Sequence, residues 1–306
     1  MDNSEVTLTK SDFVRIDGRV KQEDAVYDRG FLYHFRRSMD ENKLSYAALA
    51  VLVVIMLASA FAFLSPYDPD AMNFADKLQK PSFSHPFGTD SMGRDYFTRA
   101  LYGGQISLLV GFFSMAVSVC FGTLFGTISG FIGGRTDMLL MRFADIFMSV
   151  PSFLLMIIIN SFISPSLFTM IIIIGMFAWT GVARVVRAET MSLKERDFIM
   201  ASRGLGAGSI RIILREIIPN ITSQIIVAAT LSIARAIITE SSLSFLGFGV
   251  QLPKASWGSM LNNAQKTILD LPHLAVFPGA LILLTVFSFH ILGDVLRNAL
   301  EPKMIK

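Results

Sequence analysis

One cysteine and four histidines in 306 residues leave little for redox or metal chemistry to use. Cys120 lies inside an apolar run with no second thiol to pair with, so no intrachain disulfide forms and the redox compartment stays undecided. The histidines, His34, His85, His273 and His290, are scattered. No H-E-x-x-H, Cys/His metal spacing or G-x-S-x-G elbow occurs. A G-x-x-x-x-G-K-[ST] loop is missing as well, so the chain cannot cradle nucleotide phosphates that way. Nothing marks it as an enzyme by itself, and no cofactor or metal is expected on it. Charge is scarce too: 17% of residues are charged and the formal net charge is +3. The basic residues flank apolar runs instead of clustering on one face, which excludes a nucleic-acid footprint.

Apolar residues supply 52% of the chain, 26 of them Phe, and the mean hydropathy is +0.54. A soluble domain of this size needs far less, so the expected class is an all-α polytopic membrane protein. Six apolar runs stand out, at 44–64, 106–132, 144–163, 167–183, 221–240 and 275–293. At ~1.5 Å per residue, about 20 residues cross the ~30 Å hydrocarbon core, so most are long enough. The fourth is short, but Trp179 and the residues after it can extend it into the interface. Residues 1–43 mix eight Lys/Arg with nine Asp/Glu and read as a cytoplasmic extension. Ala58-Ser59-Ala60 mimics a cleavage site, yet the charged region before it is far too long for a secretory signal, so 44–64 is read as an uncleaved first span. With the N-terminus inside, the inside segments (1–43, 133–143, 184–220, 294–306) hold 20 Lys/Arg. The outside segments (65–105, 164–166, 241–274) hold 6. The positive-inside rule therefore puts both termini in the cytoplasm. It divides the chain into an external loop at 65–105, a five-span core at 106–293 with a cytoplasmic loop at 184–220, and a tail at 294–306.

Within the runs, polar and small residues carry the information. Ser118, Gly122, Gly126, Gly130 and Gly134 fall four apart, a stripe that lets another helix approach closely. The fifth run is the least hydrophobic: Thr230, Ser232, Arg235, Thr239 and Glu240 make it the candidate lining of a polar path. An Arg235–Glu240 pair holding helices together is the structural alternative. Residues 241–274 read as an irregular external segment, re-entrant where apolar. In the last span, His290 and Asp294 suggest a metal or proton site; an Asp294–Arg297 pair is the more ordinary account.

The loop between the fourth and fifth runs, residues 194–208, cannot be in lipid. Ser192 and Glu195 read as a capping box for a short helix that places Phe198, Ser202 and Leu205 on one row, with Asp197 and Arg203 turned elsewhere. Gly206 stops that helix in a left-handed conformation, and Ser209 can cap a second helix running to Pro219. Taken alone, such a segment would lie on anionic lipid. Helix, glycine stop, second helix and proline between two spans read instead as a helix that fills a socket on a partner.

Ala201, Gly206 and Pro219 resemble the "EAA" loop of ABC-transporter permease subunits. Phe87-Gly88-Thr89-Asp90-Ser91-Met92-Gly93-Arg94-Asp95, Leu243-Ser244-Phe245-Leu246-Gly247-Phe248-Gly249 and the run from Leu292 to Pro302 resemble the C-type subunit of the dipeptide/oligopeptide branch. The resemblance covers nearly everything from residue 40 onward. It departs where the motif's glutamate is Met200 and its second alanine is Ser202. It implies a type I importer permease fold with six spans in a bacterial or archaeal cytoplasmic membrane, paired with a second, B-type permease. It also implies two ATPase subunits carrying ATP and Mg on the cytoplasmic side, and a substrate-binding protein outside. By resemblance Arg196, Asp197, Phe198, Ala201, Ser202, Arg203, Leu205, Gly206 and Ala207 face an ATPase. Gly88, Thr89, Asp90, Gly93, Arg94 and Asp95 belong to the outer entrance near the binding protein. The implied cargo is a dipeptide or oligopeptide, with nickel or its chelate as the alternative. Leu101-Tyr102-Gly103-Gly104-Gln105 mimics an ABC ATPase signature, but no nucleotide domain surrounds it. A self-contained secondary transporter should show two repeats with matched broken helices, and none is found; a channel or membrane-embedded enzyme lacks its filter or catalytic motif.

Overall fold

The computed structural model describes residues 31–163 and 166–300. Most of the expected 1–43 extension and the last residues of the C-terminal motif lie outside that range. The described residues form helices joined by loops and turns, with one isolated bridge, Thr89 to Asp95, and no strand. This bears out the all-α class. The helices are α1 (Phe31–Glu41), α2 (Leu44–Ala60), α3 (Tyr96–Ile132), α4 (Gly134–Ser149), α5 (Ser152–Phe162) and α6 (Leu167–Leu193). There follow α7 (Asp197–Gly204), α8 (Ser209–Ile212), a π-helical turn (Ile213–Ile217), α9 (Ile218–Asn220), α10 (Thr222–Phe245), α11 (Trp257–Ala264) and α12 (His273–Leu300).

Four of these, α3, α6, α10 and α12, are each long and apolar enough to cross a membrane, and six spans result if α1–α2 and α4–α5 each count as one bent span. The third run is thus broken, bending 76° between α4 and α5. Its cause is Pro151, which lacks an N–H and pushes Val150 into the extended region. α1 turns 108° from α2 and packs Met39 and Phe35 against Leu292 and Val295 of α12. Residues 96–105, expected in the external loop, belong to α3, and the irregular 241–274 segment holds the end of α10 and all of α11.

The core is a seam between α3 and α6. An added Cβ at Gly122 would meet Val182 Cβ at 2.5 Å; at Gly126, Val186 Cβ at 2.8 Å; at Gly130, Thr190 Cβ at 2.8 Å. The partners are four apart on both helices, so the two run parallel and interlock row by row. Gly175 returns the arrangement, seating Val117 of α3. Backbones approach closely because hydrogen replaces a side chain, and dispersion across that contact replaces the hydrophobic drive that lipid does not supply. Gly134 falls outside the stripe: the chain breaks at Gly133, which takes φ +68°, and nothing lies within 4 Å of a Cβ on Gly134. α6 runs on past Trp179 to Leu193, which gives the short fourth run its length, and Trp179 itself turns inward. It is buried among Phe125, Phe143 and Phe147, clamping α4 onto the seam. Two ion pairs reinforce that clamp, Arg187–Asp137 at 2.5 Å and Arg184–Asp145 at 2.8 Å. α10 runs antiparallel to α3, with Ile237 filling the space over Gly111 and Glu240 meeting Ser107.

Replacing Gly126 by Leu should be the most damaging single change in the seam. The new side chain meets Ala183 O and Val186 with no flexible end to yield, and overpacking costs about 1–3 kcal/mol or more. Gly208→Ala, at φ −70° with open space around it, should be silent. Thermal unfolding of the purified protein in detergent checks both.

Candidate functional site

Three regions hold the residues singled out by sequence. The first is the loop after α6. Its helix α7 begins at Arg196 with no side-chain cap, because α6 runs on through Ser192 and leaves no Ser192–Glu195 capping box. Ser209 likewise is the first residue of α8 and caps nothing; Gly208 takes the cap position. The stop is as expected. Gly206 has φ +85°, its N–H donates to Arg203 O at 3.0 Å, and Ala207 N–H donates to Ser202 O at 3.1 Å. These two bonds form a Schellman cap. One residue missed by sequence explains how so short a helix holds its place: Ile199 is fully buried in a cluster with Phe131, Val186, Ile212 and Ile217. Arg203 stacks over Phe131 at 5.0 Å, and Ser202 donates to Glu216 at 2.5 Å. With Ile199 turned inward, its neighbours Phe198 and Met200 face out, and Leu205 is 90% exposed. Arg196, Asp197 and Ala201 are exposed beside them, while Ala207 packs partly against the Ile199 cluster.

The second region is the polar stretch of α10. Arg235 and Glu240 do not pair. Glu240 is 0% exposed, and its carboxylate accepts from Ser107 at 2.9 Å and Ser244 at 2.7 Å, with Ser241 more distant. Ser107 in turn accepts from Trp257 N–H, so the carboxylate binds α3, α10 and the start of α11 together. Arg235 points the other way, into a groove between α6 and α10 with a cavity of about 260 Å³. Gln224, Leu231, Ser232, Gly181, Glu189 and Arg297 of α12 also line it. Arg235 forms no ion pair among the described residues. Asp294 and Arg297 are both exposed and do not pair, and no metal-capable group of His, Asp and Glu exists around His290 or elsewhere among the described residues. Thr230, Ser232 and Thr239 each return their hydroxyl to the backbone one turn earlier, at Ile226, Ala228 and Arg235, so each keeps only acceptor capacity for a visitor. An unpaired guanidinium facing hydrocarbon would cost roughly 2.5–3.5 kcal/mol on the lenient scale, so this face belongs against water or protein.

The third region, before α3, is a knot and not an open surface. Thr89, Asp90, Arg94 and Asp95 are all buried. Asp90 holds Arg94 at 2.7 Å; Asp95 caps α3 by accepting from Thr98 N–H at 2.7 Å and meets His85 Nδ1 at 2.8 Å. Gly88 and Gly93 have positive φ, and a Cβ on Gly93 would strike Asn73 O at 1.7 Å. Arg99, also unforeseen, is 2% exposed and ties the knot across the molecule to Asp70 and to the Pro69 and Pro253 carbonyls. Gly103 and Gly104, of the signature-like stretch, seat Trp257 against α3. The side chains here look inward and hold the segment to itself and to α3.

Comparison with known proteins agrees with this architecture. Residues 122–306 match the family described as "Binding-protein-dependent transport system inner membrane component". Residues 30–81 match the "N-terminal TM domain of oligopeptide transport permease C". The chain is 37% identical over 301 residues to the oligopeptide transport system permease protein OppC of Haemophilus influenzae, covering 97% of each chain. It is 40% identical over 266 residues to OppC of Bacillus subtilis, covering 87% of each. It is 41% identical over 271 residues to the glutathione transport system permease protein GsiD of Escherichia coli O6:K15:H31, covering 88% of this chain and 89% of that one.

Two outcomes are expected. Asp95→Ala removes the α3 cap and orphans His85, so it should lower stability by about 1–2 kcal/mol, read by thermal unfolding. After Cys120, the exposed native thiol, is replaced by Ser, single cysteines at 231 and 235 should react with water-soluble maleimide. Cysteines at 234 and 237, on the buried face, should stay protected.

Proposed function

The chain belongs to the family of binding-protein-dependent transport system inner membrane components, and on that footing we propose that it is one of two permease subunits of an ATP-driven importer for short peptides. α10 lines the path, and the α7 loop couples it to an ATPase subunit that carries ATP and Mg. The carrying observation is the loop. It presents Phe198, Met200 and Leu205 outward from a helix anchored by Ile199 and closed by a Schellman cap. Large exposed apolar side chains on a polar, charged loop mark a protein-binding surface. The distribution of Lys and Arg supports a cytoplasmic position for this loop and both termini and an outer position for the α3 knot, the side from which a binding protein would deliver cargo.

Peptide is the cargo that the groove fits best. Relatives carry the names of oligopeptide and glutathione permeases, and both cargoes are peptides with free carboxylates. Arg235 and Arg297 repel a bare divalent cation, which weighs against nickel except as an anionic chelate. Path walls with hydroxyls but no tight site suit an importer, which must release what its binding protein delivers.

Two substitutions test the coupling. Leu205→Glu, at a residue 90% exposed, should leave folding intact and lower ATP-driven uptake at least about tenfold by putting a charge in the interface. Gly206→Leu meets no neighbour, but its φ of +85° penalises a Cβ by about 1–2 kcal/mol, so it should open the cap and uncouple transport. Uptake in liposomes with both ATPase subunits and the binding protein is the measurement; wild-type rates in both variants would remove α7 from the coupling.

A further inference from the structure

Arg235 raises a question that pore lining alone does not answer: why a guanidinium sits there. It is residue fourteen of the twenty-four in α10, about 20 Å from the start of that helix and about 15 Å from its end at 1.5 Å per residue. Its Nη1 lies 3.9 Å from where a Cβ on Gly181 would stand, so α6 leaves open space beside the charge. Glu240, the nearest carboxylate along α10, is occupied by serines and faces α3. Glu189 lines the same groove but sits two turns further along α6 than Gly181, and no ion pair forms. Arg297 adds a second cation, so the groove carries two guanidiniums against one carboxylate. The space beside Arg235 is therefore short of an anion, which a peptide C-terminus brings.

We propose that Arg235 binds the free C-terminal carboxylate of a peptide as it crosses the groove between α6 and α10, making this permease, and not only its binding protein, selective for ionised peptide C-termini. The inference rests on the reading of α10 as path lining. A lipid phosphate offers similar chemistry, but headgroups lie at the membrane surfaces and Arg235 lies well inside the span, farther from either end than its side chain reaches. A planar guanidinium pairs bidentately with a carboxylate, whereas the amide of a blocked peptide offers one carbonyl and no charge.

The test is uptake by the full transporter in liposomes, with binding protein loaded to saturation, of a tripeptide and of the same tripeptide amidated at its C-terminus. Selection by the binding protein is common to wild type and variants, so the informative quantity is how the free-acid to amide rate ratio changes. Arg235→Gln should lower that ratio about tenfold, through loss of free-acid transport, and Arg235→Lys should restore part of it. A ratio unchanged while both peptides slow equally would overturn the carboxylate assignment and leave α10 on the path. No effect on either peptide would overturn both readings. Loss of the assembled complex in the Gln and Lys variants alike would make Arg235 a subunit contact and overturn the proposal. Wild-type uptake of both peptides that rises with the anionic lipid fraction, and Arg235→Gln uptake that does not, would assign the charge to a lipid phosphate and overturn it too.

Discussion

Everything in this molecule hangs on the close approach of α3 and α6. Lipid offers no reward for burying apolar surface between two helices, so association depends on contact distance. Three glycines four apart, each receiving a Val or Thr methyl from the partner, keep that distance short over three turns. The seam then positions what lies around it. Trp179 and its phenylalanines fix α4 to it, Ile237 over Gly111 fixes α10, and the far end of the seam forms the floor that receives Ile199.

Polar chemistry is divided between two faces of α10. Toward α3, Glu240 is sealed among serines and acts as a rivet between three helices. Toward α6, Arg235 is left open. A buried carboxylate satisfied by hydroxyls specifies one arrangement of its neighbours, because any shift leaves its oxygens unsatisfied. That fixed face gives the open face a stable backing.

Much of this was legible from composition and spacing, and the failures have physical causes. Spans were readable because hydropathy reports length, and the stop at Gly206 because only glycine takes that φ without strain. Helix α3 was read ten residues short since Tyr96, Arg99 and Gln105 lower local hydropathy, although Tyr96 and Arg99 are buried against protein. That Trp179 packs against α4 was not legible, because hydropathy does not distinguish lipid from a neighbouring helix. The Arg235–Glu240 pair was avoidable. Five residues at about 100° each set the two side chains roughly 140° apart, so one helix cannot bring them together. Ile199 was not readable, since Phe198, Ile199 and Met200 are consecutive apolar residues and the angle at which the chain leaves α6 decides which one points in.

The depth at which Ile199 is set has a mechanical consequence. A loop held only at its two ends would bend under load and absorb whatever displacement reached it. Here α7 is pinned through Ile199, its third residue, to the same hydrophobic plug that receives the end of α3 and the turn leading into α10. Its Schellman cap stiffens the far end. A push on the outer rim of α7 would therefore bear on the same cluster as the foot of α10, the helix that carries Arg235. The contact that joins the two is made by a single isoleucine.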